Sequence, residues 1–315
     1  MSARLPPLPR VCARALLPAF LLSSAAAAHP PTAIAADARG NVWFSDLEAV
    51  WRIRPDGRVE MVRRPVSGRH VHEIRLEPDG SLVGEEQIYD SASERFISAL
   101  WRIDRQGRER WVLRPTANPP IGAGVWRDSG GARYLAQWDD NRHRTLLLFR
   151  RDSRGRVVRL LGPEQAQARF RQTILYNAGG FAFADGGGAW FTDRSALYGW
   201  TTRGGARRVV SLCAAAVRSR CTRRADLRGL ASAPDGSLFI ADAAGRRILR
   251  REAGGRLTRV LAAQAPWAPH GVARSASSLY SLEFTDAGSA GGVRVRVRRV
   301  DADGRIAVLA EKPVP

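Results

Sequence analysis

The stretch RGLASAPDGSLFIAD, residues 228–242, holds two strand-like runs around the turn signal Pro234-Asp235-Gly236 and ends in an acid. Apolar alternation on both sides of a Pro-Asp-Gly turn predicts a tight β-hairpin. The same cadence recurs as TAIAADARGNVWFSD (32–46), HEIRLEPDGSLVGEE (72–86), AGVWRDSGGARYLAQ (123–137), GGFAFADGGGAWFTD (179–193) and HGVARSASSLYSLE (270–283). After each hairpin come two more strand-like runs joined by a glycine turn. Those turn glycines are Gly57, Gly107, Gly155, Gly205, Gly255 and Gly304, spaced 48 to 50 residues apart.

Regular spacing on this scale marks a repeat architecture. Four short strands per repeat form an antiparallel meander, and six such sheets set radially form a propeller. The expected fold is therefore all-β, a six-bladed β-propeller of four-stranded antiparallel blades. One position in the second strand carries Trp43, Tyr134, Trp190, Phe239 and Tyr280, with Val83 in the second repeat. Rings there bury large areas and are expected to pack between blades.

The two ends of the 315-residue chain read differently. Residues 1–28 combine Arg4, Arg10 and Arg14 with a short apolar run and Ala25 to Ala28, the pattern of a secretory signal peptide. Residues 29–315 then form a single propeller domain, exported to the periplasm or the extracellular space, with no transmembrane segment. Cys213 and Cys221, the pair left after cleavage, are expected to form one disulfide in that oxidising compartment. The formal net charge of +20 favours acidic partners, such as a cell-envelope component. Export argues against nucleic acid, and the expected state is a monomer.

Register within the repeat locates a site. The start of the first strand, which rims the central funnel, carries Thr32, His72, Ala123, Gly179, Arg228 and His270. The end of the second strand carries Asp46, Glu86, Gln137, Asp193, Asp242 and Glu283. The acid slot follows the repeat, so its carboxylates are expected to serve turns. No repeat rule demands histidine at 72 and 270, and His70-Val71-His72-Glu73 adds a second imidazole and a further carboxylate. Imidazole with carboxylates at a channel mouth suits a divalent metal or a general base. The longer connections, 87–98, 138–145, 163–177, 213–221 and 284–292, fall on the same face, which is where a binding surface belongs. The alternation in Val293-Arg294-Val295-Arg296-Val297-Arg298 places arginines in solvent on an outer strand.

The cadence G-x-A-x-D-x-x-G-N/S-hydrophobic-aromatic-x-x-D, clearest at 33–46 and 229–242, resembles the NHL repeat. More broadly the chain resembles six-bladed propellers of the gluconolactonase and streptogramin B lyase type. The lyase resemblance implies base catalysis and magnesium binding by a histidine and a glutamate at the positions of His270 and Glu283. The gluconolactonase resemblance implies a calcium-type ligand set, for which Asn177 and Asp226 lie two residues ahead of the matching slots and Thr32 replaces a glutamate. Two functions follow as expectations. One is a binding module whose funnel takes a small polar or acidic ligand through His72, Arg228, Asn177, Asp193 and Asp242. The other is a lyase or lactone hydrolase with His270 and Glu283 as catalytic residues, assisted by calcium or magnesium on Glu86, Glu283 and His72.

Overall fold

The structure, a computed structural model, describes residues 32–90, 95–117, 126–128, 130–138, 146–161, 179–184, 188–192, 196–201, 205–211, 225–285 and 292–314. These form six four-stranded antiparallel sheets, each built from four consecutive strands. Among the described residues there are strands, turns and bends but no helix, and hence none long enough to cross a membrane. The signal-peptide residues, Cys213, Cys221, Asn177 and Asp193 lie outside the described residues, as do all five connections named above in part or whole. The described parts of 87–98, residues 87–90 and 95–98, are strand. In blade two β6 (Leu82–Asp90) and β7 (Arg95–Ile103) stay paired from Leu82↔Ile103 out to Asp90↔Arg95.

The hairpin turns form as their chemistry dictates. Asp37 accepts from the backbone N–H groups of Arg39 and Asn41 at 2.9 and 2.8 Å, while Gly40 takes φ +84°. Asp235 and Gly236 repeat the device in blade five. An aspartate reaching its own backbone with glycine in the left-handed region closes a two-strand turn without strain.

The innermost strands are β1 (Ile34–Ala36), β5 (Arg69–Leu76), β9 (Trp126–Arg127), β13 (Gly179–Ala184), β17 (Leu227–Ser232) and β21 (Trp267–Arg274). Six apolar clusters fill the six seams between blades. The second-strand aromatics belong to them: Trp43 packs against blade two, Tyr134 against blade four, Trp190 against five, Phe239 against six and Tyr280 against one. Trp101 lies across Gly84, where any Cβ would collide with its indole.

The ring closes by packing. Blade six is a complete four-strand sheet, β21 to β24 (Ile306–Pro313), and owes no strand to the chain start. Ile34, Phe44 and Ile53 of blade one join Tyr280, Leu282, Phe284, Val295 and Val297 of blade six in one cluster. Backbones also meet here: a Cβ on Gly271 would lie 2.6 Å from the Thr32 carbonyl oxygen.

Candidate functional site at the channel mouth

The innermost strands surround a central channel of about 510 Å³. Blades four, five, six and one approach closely because one register position in them is small: Gly180, Gly229, Gly271 and Ala33. A Cβ on Gly180 would meet Leu230 N at 2.7 Å, and one on Gly229 would meet Gly271 Cα at 2.8 Å. In blade two this position is Glu73.

The start of the first strand carries a β-bulge in four blades. Pairing runs Val71↔Glu86 then Glu73↔Glu85, leaving His72 as the extra residue. It runs Pro269↔Glu283 then Gly271↔Leu282, leaving His270. Blades four and five slip at Gly180 and across Arg228-Gly229. Bulges next to a channel redirect side chains that a regular ladder would alternate. The histidine slot recognised in the sequence is thus a bulge slot.

The structure separates the expected site residues into two groups. Glu283 is 0 % exposed. It accepts from Ser281 Oγ at 3.0 Å, Arg296 Nε at 2.7 Å and Arg298 Nε at 2.9 Å. Glu86, also buried, pairs with Arg63 at 2.7 Å and Arg69 at 2.9 Å. Asp242 accepts from Gly245 N at 3.0 Å and Arg247 Nε at 2.9 Å, and Asp46 from Ala49 N at 2.8 Å and the Trp51 indole at 2.6 Å. The acid slot therefore clasps its own blade at Asp46, Asp242 and Glu283, while Glu86 also ties blade two to Arg63 of blade one, and these carboxylates already have structural partners. Arg296 and Arg298, expected in solvent, turn inward to serve Glu283, and Arg298 is buried. The alternation itself holds, since Arg296 lies directly opposite Glu283 in a regular ladder; what differs is that this face of the strand is not solvated but pairs with a buried carboxylate.

A divalent cation on Glu86, Glu283 and His72 does not fit this donor set. Glu86 and Glu283 stand in different blades, and each already faces two guanidinium groups. Among the described residues no three His, Cys, Asp or Glu side chains converge as a metal cluster.

The second group stands at the rim. His270 is buried with its ring edge-on to Phe284, centroids 5.5 Å apart. His72 lies 6.2 Å from His70, ring to ring. Arg228 is held by Asp226 through both carboxylate oxygens at 2.9 to 3.1 Å. Thr32 Oγ1 donates to Glu73 Oε1, joining blades one and two.

Two residues went unrecognised as a pair. Glu73 and Glu85 face each other across one ladder position. Burial pushes Glu73 well above the ordinary carboxylate range, with the Glu85 charge adding to it and the Trp126 indole opposing. Burial alone pushes Glu85 up to about 7. The signal was present in the repeat: the slot of Glu73 is otherwise glycine or alanine, and that of Glu85 is Ser45, Thr192, Ala241 and Leu282 elsewhere.

No known family pattern matches the chain, and no curated protein matches it. Solved structures do. Virginiamycin B lyase from Staphylococcus aureus superposes with a TM-score of 0.51 at 17 % identity, over 90 % of this chain and 84 % of that one. What is shared is the fold. A gluconolactonase from Xanthomonas campestris gives 0.55 at 15 % identity, covering 79 % and 81 %. The calcium-binding protein regucalcin from Agrobacterium tumefaciens gives 0.50 at 13 %, covering 81 % and 83 %. The six-bladed propeller expected from the repeat is the architecture of these proteins.

Proposed function

We propose that this chain is a small-molecule binding propeller that takes a polar ligand into the mouth of its central channel. The carrying observation is the channel itself. Its volume of about 510 Å³ falls in the range of small-molecule sites, roughly 300–1,000 Å³. Most of its lining residues are apolar, yet polar atoms make up more than half of its exposed surface, with Thr32, Glu73, Arg75 and Arg274 among their sources. His72 and Arg228 directly precede the lining residues Glu73 and Gly229, and with His270 they stand outside the cavity wall; they form its rim in this proposal. The conserved-looking acids of the repeat do not enter it, because arginines and backbone already occupy them. Residues 1–28 support export, which would put the binding propeller in the periplasm or outside the cell.

The test is thermal unfolding of the full chain against sugars, sugar acids, lactones, amino acids and amines. A ligand selective for the folded state and present at 100 times Kd stabilises it by about 2.7 kcal/mol. His72→Ala and Arg228→Ala should weaken any such ligand. If no probe shifts the midpoint, or if the shift survives both substitutions, the channel-mouth proposal is wrong.

The alternative, a lyase or lactone hydrolase, draws on Glu73 and Glu85, carboxyls that burial pushes up, Glu85 to about 7, the direction a general acid needs. Two fold neighbours are a lyase and a gluconolactonase. Turnover of a lactone that is lost in Glu85→Gln, with binding retained, would transfer the assignment to that class.

A further inference from the structure

Glu73 and Glu85, both half-buried, are exceptions to the way this molecule treats acid withdrawn from solvent. Glu86 and Glu283 each have two arginines, Asp242 has Arg247, and Asp128 faces Arg150 at 3.5 Å. The chain carries 50 Lys and Arg against 30 Asp and Glu, so cations are abundant. Yet Glu73 has only the Thr32 hydroxyl and the Trp126 indole, and no ion pair reaches either glutamate among the described residues. The nearby arginines are engaged elsewhere. Arg75, on the same strand, lies over the Phe183 ring and is balanced by Glu77 and Asp128. Arg127 pairs with Glu77 at 3.0 Å, while Arg63 and Arg69 serve Glu86.

The walls beside the pair differ sharply. Trp126 and Phe181 meet at 4.3 Å between ring centroids and line the channel from blades three and four. Gly229, Ala231, Ala35 and Ala36 give a smooth opposite wall. The seam between blades two and three also holds the smallest described apolar cluster, Val83 and Leu100 with Leu113 and Trp126. An aromatic wall favours a flat ring or a cation over its face, and two facing carboxyls without a counterion favour a positive charge between them.

We infer that the channel mouth between blades two and three binds an organic cation, a small molecule joining a protonated amine to a flat apolar ring. This rests on the binding proposal above and names its ligand class. The amine sits between Glu73 and Glu85, and the ring lies along Trp126 and Phe181. Thr32 donates to one Glu73 oxygen and the Trp126 indole also donates to this carboxyl, which orients it toward Glu85 without supplying a counterion.

The test uses isothermal titration calorimetry of the full chain with 2-phenylethylamine and its neutral counterpart 2-phenylethanol at pH 8. The amine should bind at least about tenfold more tightly than the alcohol, the ratio that about 1.4 kcal/mol of charge recognition produces. Its affinity should fall between pH 8 and pH 5, as the carboxyls take up protons. Glu73→Gln with Glu85→Gln should remove the preference for amine over alcohol. Equal affinities, binding of neither probe at millimolar concentration, or amine preference surviving the double substitution would overturn the inference. Should the double variant not fold, the wild-type comparison of amine with alcohol decides alone. A sugar or sugar acid that binds through Arg228 while the amine does not would sink the cation and leave the channel-mouth reading standing.

Discussion

Replacing Glu283 by glutamine tests whether the most conspicuous acid of the last repeat belongs to the fold or to chemistry. The carboxylate is wholly buried, and both oxygens are taken, by Ser281, Arg296 and Arg298. Arg298 is itself buried and reaches on to the Ala262 carbonyl of blade five at 3.1 Å. Glu283→Gln keeps the volume and removes the charge, leaving two guanidinium groups facing a neutral amide. Breaking a buried pair from one side costs about 3–5 kcal/mol, because the surviving charge loses its compensation. At about 2–4 °C per kcal/mol for a domain of comparable size, the midpoint should fall by at least about 6 °C. Calorimetry at neutral pH reads this directly. Adding Arg298→Met should restore part of the loss, since it removes one of the stranded charges. A variant melting within about 1 °C of the parent would refute the reasoning, all the more if it had lost a ligand or substrate response. Glu283 would then be a functional carboxylate whose arginines merely tune it.

Further outcomes follow from the same geometry. Glu85 is pushed up on folding, so the folded state binds more protons than the unfolded chain between about pH 4.5 and 7. Its contribution to stability is present in full below the unfolded value and is lost as pH rises through about 7, by up to roughly 3 kcal/mol. Glu85→Gln should therefore flatten that part of the stability–pH curve and melt higher than the parent at pH 8; an unchanged curve counts against burial as the cause. Gly271→Ala places a Cβ 2.6 Å from the Thr32 carbonyl at the ring closure and should cost about 1–3 kcal/mol in a urea titration. The same change at Gly254, where a Cβ meets nothing within 4 Å, should be close to neutral and controls for the loss of glycine itself.

The propeller was legible because its cause is local and repeated. Asp235-Gly236 makes a turn whatever surrounds it, and six copies of one hairpin pattern leave no other way to bury their faces. The rim histidines were legible for the converse reason, as departures from the repeat at 72 and 270. Their geometry was not, since a bulge depends on how many residues two strands place opposite each other, and pairing is settled between strands.

The sequence by itself determined the number of blades, the order of strands, the aromatic packing between blades and the slots that face the channel. Only the tertiary structure decided what each charge does. Glu86 and Glu283 look available in the repeat and prove to be neutralised by arginines brought from other strands and turned inward. Glu73 and Glu85 look ordinary and prove to face each other across one ladder position with no counterion among the described residues. The physical reason is range: turn and strand preferences act over a few neighbours along the chain, whereas the energy of a buried charge depends on every group that folding brings within a few ångströms.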